Sequence, residues 1–168
     1  MPETEQGFNK GDWIVHLYHG VGQIKGVEEK PLNGKMHTYY RVKTYNSILW
    51  IPVDNADNDR IRPLSTEEEL DEALKALQKP PHEMDPNHSK RKGRIRDVKS
   101  DGSLLSICRL VRDLSARRME NRLNATEQRA LQRLEDRLVR EWSVCKHIGV
   151  EEAAQKLNEM LQFDEVVA

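Results

Sequence analysis

"GDWIVHLYHGVGQIKGVEE", residues 11–29, is the stretch that decides the fold of the first half of the chain. Gly11 and Asp12 predict a turn, and a short Trp/Ile/Val run follows them. Gly20 and Gly22 then interrupt the apolar pattern before "QIKGVEE" resumes it. Short aromatic and β-branched runs separated by glycine predict strands joined by tight turns. The stretch therefore predicts the opening of a small β structure.

Two more segments extend this pattern, "HTYYRVKT" at 37–44 and "SILWIPV" at 47–53. Asn33-Gly34 precedes the first of them, and an Asn-Gly pair between strands is a strong hairpin signal. Asn46-Ser47 predicts the next turn. Pro52 must end its strand or lie on an exposed edge, because proline cannot donate a hydrogen bond to a neighbouring strand. Together these signals predict a small antiparallel Tudor- or SH3-like β barrel over residues 7–64.

The pattern changes to that of helices after residue 64. Ser65 and Glu68 have the spacing of a capping box, which predicts the start of a helix with Ser65 as its N-cap. Three prolines in "QKPPHEMDPNH" (78–88) predict a linker after that helix. We therefore assign residues 65–88 to a connecting helix and a proline-rich linker.

Residues 89–162 are predicted to form a helical domain. Apolar residues recur every three to four positions from Leu104 to Leu114, which is the period of a helix with one buried face. Asn124 and Glu127 resemble a second capping box, and Gly149 is predicted to end that long helix as a left-handed cap. The predicted fold class is α+β, with an N-terminal antiparallel barrel followed by an all-α bundle of about four helices.

Positive charge is concentrated in one part of a nearly neutral chain. The formal net charge is −1, yet residues 88–118 contain ten Lys and Arg against three Asp. A one-signed cluster of this kind attracts phosphate. The regular aromatic residues of a single-strand platform are missing, so contact with duplex DNA fits better than single-strand binding, and the alternative is a merely solvated face. The residues predicted to contact DNA are Lys90, Arg91, Lys92, Arg94, Arg96, Arg109 and Arg112.

The sequence points away from catalysis, metal binding and membrane insertion. No nucleophile elbow or phosphate-binding loop motif is present, and no run of 18 apolar residues exists. His16 and His19 are three apart in a predicted strand, where they would point to opposite faces, so a zinc site with His37 is not expected. We expect a non-enzymatic binding protein of the reducing cytoplasm, with two buried thiols and no metal, cofactor or small-molecule substrate.

"GDWIVHLYHGVGQIKGVEE" resembles the opening of the RNA-polymerase-interacting domain shared by CarD-type regulators and the transcription-repair coupling factor. "ILWIPVDNAD" is similar to a later strand of that domain. "LVRDLSARR" and "LNATEQRALQRLEDRLVREW" resemble helices of the CarD helical domain, whereas the coupling factor continues into a helicase. The resemblance runs from about Phe8 to Leu161 and identifies the chain as a member of the CarD family.

The resemblance implies a bacterial transcription regulator that binds the RNA polymerase β subunit through its barrel and promoter DNA through its helical domain, stabilising the open complex. Lys30, Leu32 and Trp50 match positions on the polymerase-binding side. Lys90 and Arg91 match an Arg-Arg pair. His88 stands where the family has a tryptophan that wedges into the minor groove, so this chain departs from the family there.

An alternative remains open because of that departure. The chain could be a protein-interaction adaptor whose helical domain binds an acidic protein rather than DNA. A monomer is expected in either case.

Overall fold

The computed structural model describes residues 7–54 and 60–161. The chain divides into two compact units between Leu64 and Ser65. Each unit has its own core of buried apolar side chains, and each is described by itself below. The last three residues of "ILWIPVDNAD", 55–57, lie outside the described residues, as does the predicted domain end at Gln162.

The first unit is an antiparallel sheet of five strands in the order β4-β3-β2-β1-β5. The strands are β1 (Trp13–His16), β2 (Gly20–Leu32), β3 (Lys35–Thr44), β4 (Ile48–Pro52) and β5 (Ile61–Pro63). A small core covers one face of this sheet, and it consists of Ile14, Ile24, Tyr40, Val42 and Ile51. The predicted α+β class with an N-terminal antiparallel sheet is confirmed.

The sheet differs from the predicted barrel in one respect. In the described part of the unit, β4 pairs only with β3 and β5 only with β1, so the sheet is open rather than closed. Short strands and turns predict local pairing, but they carry no information on whether the first and last strands meet. Pro52 is the last residue of the edge strand β4, as expected for a residue that cannot donate to a neighbour.

Two glycines of the sheet have a structural reason, one in a tight turn and one at a close contact between strands. Asn33 and Gly34 have φ angles of 53° and 78°, so they form the two-residue hairpin turn between β2 and β3 that the Asn-Gly pair predicts. Gly22 lies where a Cβ atom would come within 2.7 Å of Val42 Cγ1 and 3.2 Å of the Lys43 carbonyl oxygen. A side chain at position 22 would therefore push β2 away from β3.

The second unit contains five helices in its described part. They are α1 (Glu67–Leu77), α2 (His88–Asp101), α3 (Leu104–Met119), α4 (Ala125–Lys146) and α5 (Val150–Met160). The core includes fully buried leucines from α1, α3, α4 and α5, among them Leu70, Leu110, Leu134 and Leu157. Helix α1 packs against α3, so the segment predicted as a connecting helix contributes to this core instead of bridging two domains.

Of the three caps predicted from the sequence, the Asn124–Glu127 box is confirmed, and the other two predictions are wrong by one and two residues. Asn124 and Glu127 form the predicted capping box at the start of α4. At α1 the box consists of Thr66 and Glu69, one residue later than predicted, because Ser65 donates its backbone N–H to the buried Glu141. His147, with φ 55°, is the left-handed cap of α4 in place of Gly149, which precedes α5 with φ −68°.

Candidate functional site

Three residues predicted to bind polymerase lie on one face of the sheet. Lys30 pairs with His37 and Trp50 with Arg41, and these two partners are four residues apart on β3. Because side chains alternate along a strand, residues an even number of positions apart share a face, so Lys30, Leu32 and Trp50 project from the same side. This side is opposite to the core, and Leu32 and Trp50 are 51% and 43% exposed there.

Contacts between neighbouring strands hold the exposed indole of Trp50 in place. The Lys30 Nζ atom lies 3.4 Å from the centre of the Trp50 ring, a cation–π contact. Trp50 Nε1 donates to Glu28 Oε2 at 2.9 Å, and Arg41 Nη1 is 3.3 Å from the other oxygen of that carboxylate. We call Glu28, Lys30, Leu32, Arg41 and Trp50 the outer face. It presents an ordered aromatic ring, an apolar side chain and an excess of one positive charge.

The basic residues of the second unit do not form one patch. Helix α2 begins at His88 with Asn87 as its N-cap, and successive basic residues then point in different directions. Residues two apart on a helix differ by about 200° in direction. Arg94 and Arg96 therefore lie on opposite flanks of α2, and each flank borders a different groove.

The first groove runs between α2 and α4 and has a volume of about 430 Å³. Ile95 and Ala130 contribute apolar surface to it, and Glu127 is its single carboxylate among the described lining residues. We call it the α2/α4 groove. Its basic lining residues are Lys92, Arg96 and Lys99 from α2 and Arg129 and Arg133 from α4.

Lys99, Arg129 and Arg133 are not among the residues predicted to contact DNA. Their signal is present in the sequence, because Thr126, Arg129, Ala130 and Arg133 recur at the three- and four-residue spacing of one helix face. This face lies beside the apolar stripe of α4. What the sequence lacks is any indication that α2 packs next to it.

His88 lies at this groove and is exposed. Its Nδ1 atom is 3.4 Å from Asn124 Nδ2, the amide nitrogen of the residue that caps α4. The residue in the position of the family's tryptophan is therefore placed at the starts of both helices that form the groove. Its ring is available to a ligand that enters from that end.

Arg91 belongs to the residues predicted to contact DNA, but its guanidinium group is buried. Nε donates to Glu127 Oε1 at 2.7 Å, and Nη1 donates to the carbonyl oxygens of Asp85 and Pro86 at 3.1 and 2.8 Å. The side chains of Arg91 and Glu127 are 9% and 3% exposed. Arg91 thus links α2 to the start of α4 and has no open path to a DNA phosphate.

Arg94, Arg109 and Arg112 lie at the second groove, between α1 and α3, which we call the α1/α3 groove. Arg112 is 4% exposed and donates through Nε to Asp113 Oδ1 at 2.9 Å and through Nη1 to the Ala76 carbonyl oxygen at 3.1 Å. Arg94 Nη2 donates to Asp113 Oδ2 at 2.8 Å, whereas Arg109 is exposed. These three arginines are therefore separated from the α2/α4 groove, and the burial of Arg112 does not fit the predicted exposed DNA contact.

Lys90 completes the predicted set. It is 72% exposed, and its Nζ atom lies 4.0 Å from Asp85 Oδ2. An exposed ion pair at this distance contributes little to stability. Lys90 remains accessible to an anion, but it does not line either groove.

The two cysteines are poor nucleophiles. Burial and the nearby Glu141 carboxylate raise the pKa of the Cys108 thiol to about 12, and the same two causes, burial first, raise the pKa of Cys145. The thiolate is the reactive form, so both thiols are inert at neutral pH. Within residues 7–54 and 60–161, no three His, Cys, Asp or Glu side chains are grouped so that they could hold a metal ion. No helix in these ranges has the length and apolar character needed to cross a bilayer.

Comparison with known families assigns both units. Residues 8–65 match the CarD-like/TRCF RID domain, and residues 72–158 match the CarD C-terminal domain. The chain belongs to the CarD family. The proposed transcription factor YdeB of Bacillus subtilis (strain 168) is 30% identical to this CarD-family chain over 150 residues, which cover 84% of the chain and 94% of YdeB.

The CarD-family chain is also similar to much longer proteins through its first unit alone. The transcription-repair-coupling factors of Staphylococcus aureus strains MRSA252 and USA300 are each 40% identical to it over 57 residues. This match covers 33% of the chain and 5% of each coupling factor. The shared part is thus the first unit, and the CarD family to which the chain belongs is one of RNA-polymerase-associated transcription regulators.

Proposed function

We propose that this CarD-family protein binds the RNA polymerase β subunit through the outer face of its sheet and promoter duplex DNA through the α2/α4 groove, and that it stabilises the open complex. The observation that supports the proposal is that each unit has one surface whose side chains are already ordered or charged for binding. The first presents an ordered Trp50 beside Lys30. The second lines a groove with five cationic side chains beside the carboxylate of Glu127, which Arg91 already neutralises.

The outer face suits a protein partner. Aromatic residues and arginine are enriched where protein interfaces gain most of their affinity, and an exposed but immobilised Trp50 loses little side-chain entropy on binding. The edge strand β4 adds a second mode of contact, since its outer edge can pair with a strand of the partner.

The polymerase contact is tested by a pull-down of RNA polymerase with the full chain. Lys30→Glu and Trp50→Ala should each weaken the complex, because they remove the cation–π contact and reverse or delete part of the outer face. Val27→Ala is the matched control, since Val27 is 56% exposed on the opposite face of the same hairpin. Wild-type binding by the Lys30→Glu/Trp50→Ala double variant would place the contact elsewhere.

The α2/α4 groove suits a DNA backbone. Its basic residues come from two facing helices, so they can approach successive phosphates, and each neutralised phosphate releases condensed counterions. His88 at the groove end is placed where an inserted ring would meet an opening base step, although a histidine ring fills less of the minor groove than the tryptophan of relatives.

The DNA contact is tested by the lifetime of the open complex and by the salt dependence of DNA affinity. Lys92→Glu and Arg129→Glu, one from each wall, should shorten the lifetime and lower the slope of log affinity against log salt by about 0.9 for each lost phosphate. Lys156→Glu, an equal charge change at an exposed position of α5, should have no effect on either. His88→Trp should lengthen the lifetime.

Equal behaviour of Lys92→Glu and Lys156→Glu would show that the α2/α4 groove does not contact DNA. Retention of an acidic protein partner by the wild type but not by Lys92→Glu would then favour the adaptor function. A gain in neither lifetime nor affinity with His88→Trp would exclude the wedge and leave the phosphate contacts in place.

A further inference from the structure

The α1/α3 groove is a second basic cavity that the proposed DNA contact does not use. Its volume is about 670 Å³, within the range of small-molecule sites. Glu72 and Asp113 are its acidic lining residues, and Leu105 and Ala76 give it an apolar wall. Its cationic lining residues are Lys75, Lys79, Arg94, Arg109 and Arg112, which leave an excess of three positive charges when His82 is neutral.

Asp113 fixes two guanidinium groups at the base of this groove. Its Oδ1 atom accepts from the His82 backbone N–H at 2.8 Å and from Arg112 Nε, and its Oδ2 atom accepts from Arg94. Burial alone would raise the pKa of Asp113, but the hydrogen bonds from Arg112, from the His82 N–H and from Arg94 hold it below its usual value. The carboxylate is therefore ionised at neutral pH, and its one negative charge pairs with the two positive charges of Arg94 and Arg112.

The two guanidinium groups keep donors for a ligand. Arg112 uses Nε and Nη1 in the contacts described above, and Arg94 uses Nη2. A guanidinium group carries five N–H bonds, so both groups retain donors beyond those spent on Asp113 and Ala76. Arg94 and Arg112 share the single carboxylate of Asp113, so this cluster keeps an excess of one positive charge beside the buried Arg112, where an anion gains more than it would at the surface.

The arrangement favours phosphate over a carboxylate. Basic residues line the groove from three sides: Arg94 on α2, Arg109 and Arg112 on α3, and, on the α1 side, Lys79 just after the helix and Lys75, which also contacts Glu72 at 3.0 Å. A side-chain carboxylate offers two oxygen atoms, whereas a phosphate group offers three or more that can accept from different directions. Arginine forks bind phosphate oxygens bidentately and lysines contribute point charges, so the groove offers both modes of phosphate recognition.

We propose that the α1/α3 groove is a second phosphate-binding site, separate from the α2/α4 groove, whose ligand is either a free polyphosphorylated anion or the phosphate backbone of a nucleic acid. The site requires neither the polymerase contact nor the DNA contact proposed above. It uses side chains on the flank of α2 that faces away from the α2/α4 groove.

The test is a calorimetric titration of the full chain with inorganic pyrophosphate at low salt, paired with a titration with duplex DNA. The variant is Lys79→Gln/Arg109→Gln, which removes two exposed charges of the groove and leaves the buried Arg112–Asp113 pair intact. The matched control is Lys10→Gln/Lys156→Gln, which removes two exposed charges outside both grooves, and Lys92→Gln/Arg129→Gln in the α2/α4 groove serves as a third variant that locates the site. Wild type should bind pyrophosphate saturably, the variant about tenfold or more weakly, and the control like wild type.

The DNA titration separates the two sources of phosphate. If the ligand is a free anion, Lys79→Gln/Arg109→Gln loses pyrophosphate and keeps its DNA affinity. If the ligand is a nucleic-acid backbone, the same variant loses DNA affinity and its salt slope falls by about 0.9 for each contact. Arg109→Lys, which keeps the charge, should retain most of the binding in either case.

Three results would overturn the proposal. In the first, Lys79→Gln/Arg109→Gln changes neither titration. In the second, pyrophosphate binding survives in this variant and disappears in Lys92→Gln/Arg129→Gln, which would place the site in the α2/α4 groove. In the third, a hexaglutamate peptide binds the groove and pyrophosphate does not, which would make the occupant an acidic protein segment.

Discussion

Replacing Arg91 by methionine should destabilise the helical unit far more than any exposed basic substitution in α2. The methionine side chain matches the length of the arginine stem but cannot donate a hydrogen bond. It would leave the Glu127 carboxylate, 3% exposed, without the guanidinium that lies 2.7 Å away. The carbonyl oxygens of Asp85 and Pro86 would lose their donor as well.

The magnitude follows from these contacts. Removing one partner of a buried ion pair costs about 3–5 kcal/mol, because the other charge stays buried and unpaired. For a unit of about 100 residues, whose whole stability is about 5–15 kcal/mol, this is a large fraction. In the double variant Arg91→Met/Glu127→Gln no charge is left unpaired, and the amide introduced at position 127 can still accept the Asn124 backbone N–H at the N3 position of the capping box. The double variant should therefore recover most of the loss.

The assay is urea unfolding followed by circular dichroism at 222 nm, which reports on the helices of the second unit. Lys90→Met is the matched control, since Lys90 is the neighbouring residue, is 72% exposed and makes only a 4.0 Å contact with Asp85. It should change the free energy of unfolding by less than about 0.5 kcal/mol.

Two results would refute this reasoning. One is an Arg91→Met variant whose unfolding midpoint and slope equal those of Lys90→Met. The other is a double variant that is less stable than Arg91→Met, which would show that the negative charge of Glu127 stabilises the fold apart from its pair with Arg91.

Two further predictions concern single positions. Gly22→Ala should lower the stability of the sheet by about 1–3 kcal/mol, because its Cβ atom would lie 2.7 Å from Val42 Cγ1. Gly26→Ala is the control and should be tolerated, since its Cβ atom would lie 3.9 Å from Arg41 Nη2. Hydrogen exchange of the β2 and β3 amides measures both effects, and equal protection in the two variants would contradict the packing explanation. Asp113→Asn should lose more stability at pH 7 than at pH 3. The folded state lowers the pKa of Asp113, so its contribution is present above about pH 4 and disappears as the pH falls through the folded-state pKa. Unfolding curves across pH that stay parallel for wild type and variant would contradict it.

Local signals in the sequence were sufficient for the Asn33-Gly34 turn and for the capping box of α4. Asn33-Gly34 and the Asn124–Glu127 box depend on backbone angles and side-chain oxygens within four residues, so the sequence predicts them directly. The α+β order of the two units follows from the change of period near residue 65. Whether the sheet is open or closed depends on whether β4 and β5 pair with each other, and no local sequence pattern predicts that pairing.

The candidate DNA surface was harder to predict because burial depends on distant partners. Arg91 and Glu127 are 36 positions apart, and Arg94 and Asp113 are 19 apart, so the sequence shows the charges without showing which are neutralised. Helix α2 buries only Arg91, Ile95 and Val98, which is too few apolar residues to predict its direction. A run of basic residues therefore resembles one patch until the helix divides it between two grooves.

Glu127 has a consequence for the kinetics of recognition. One of its oxygens receives the Asn124 backbone N–H at the start of α4, and the other receives Arg91 near the start of α2. The first turns of both groove walls are thereby tied to a single carboxylate before any ligand arrives. Because the two helix starts are already fixed, binding costs less conformational entropy than it would if they were mobile. The rate of association with DNA should then depend on electrostatic steering by the groove, not on a folding step, and should fall as salt is added.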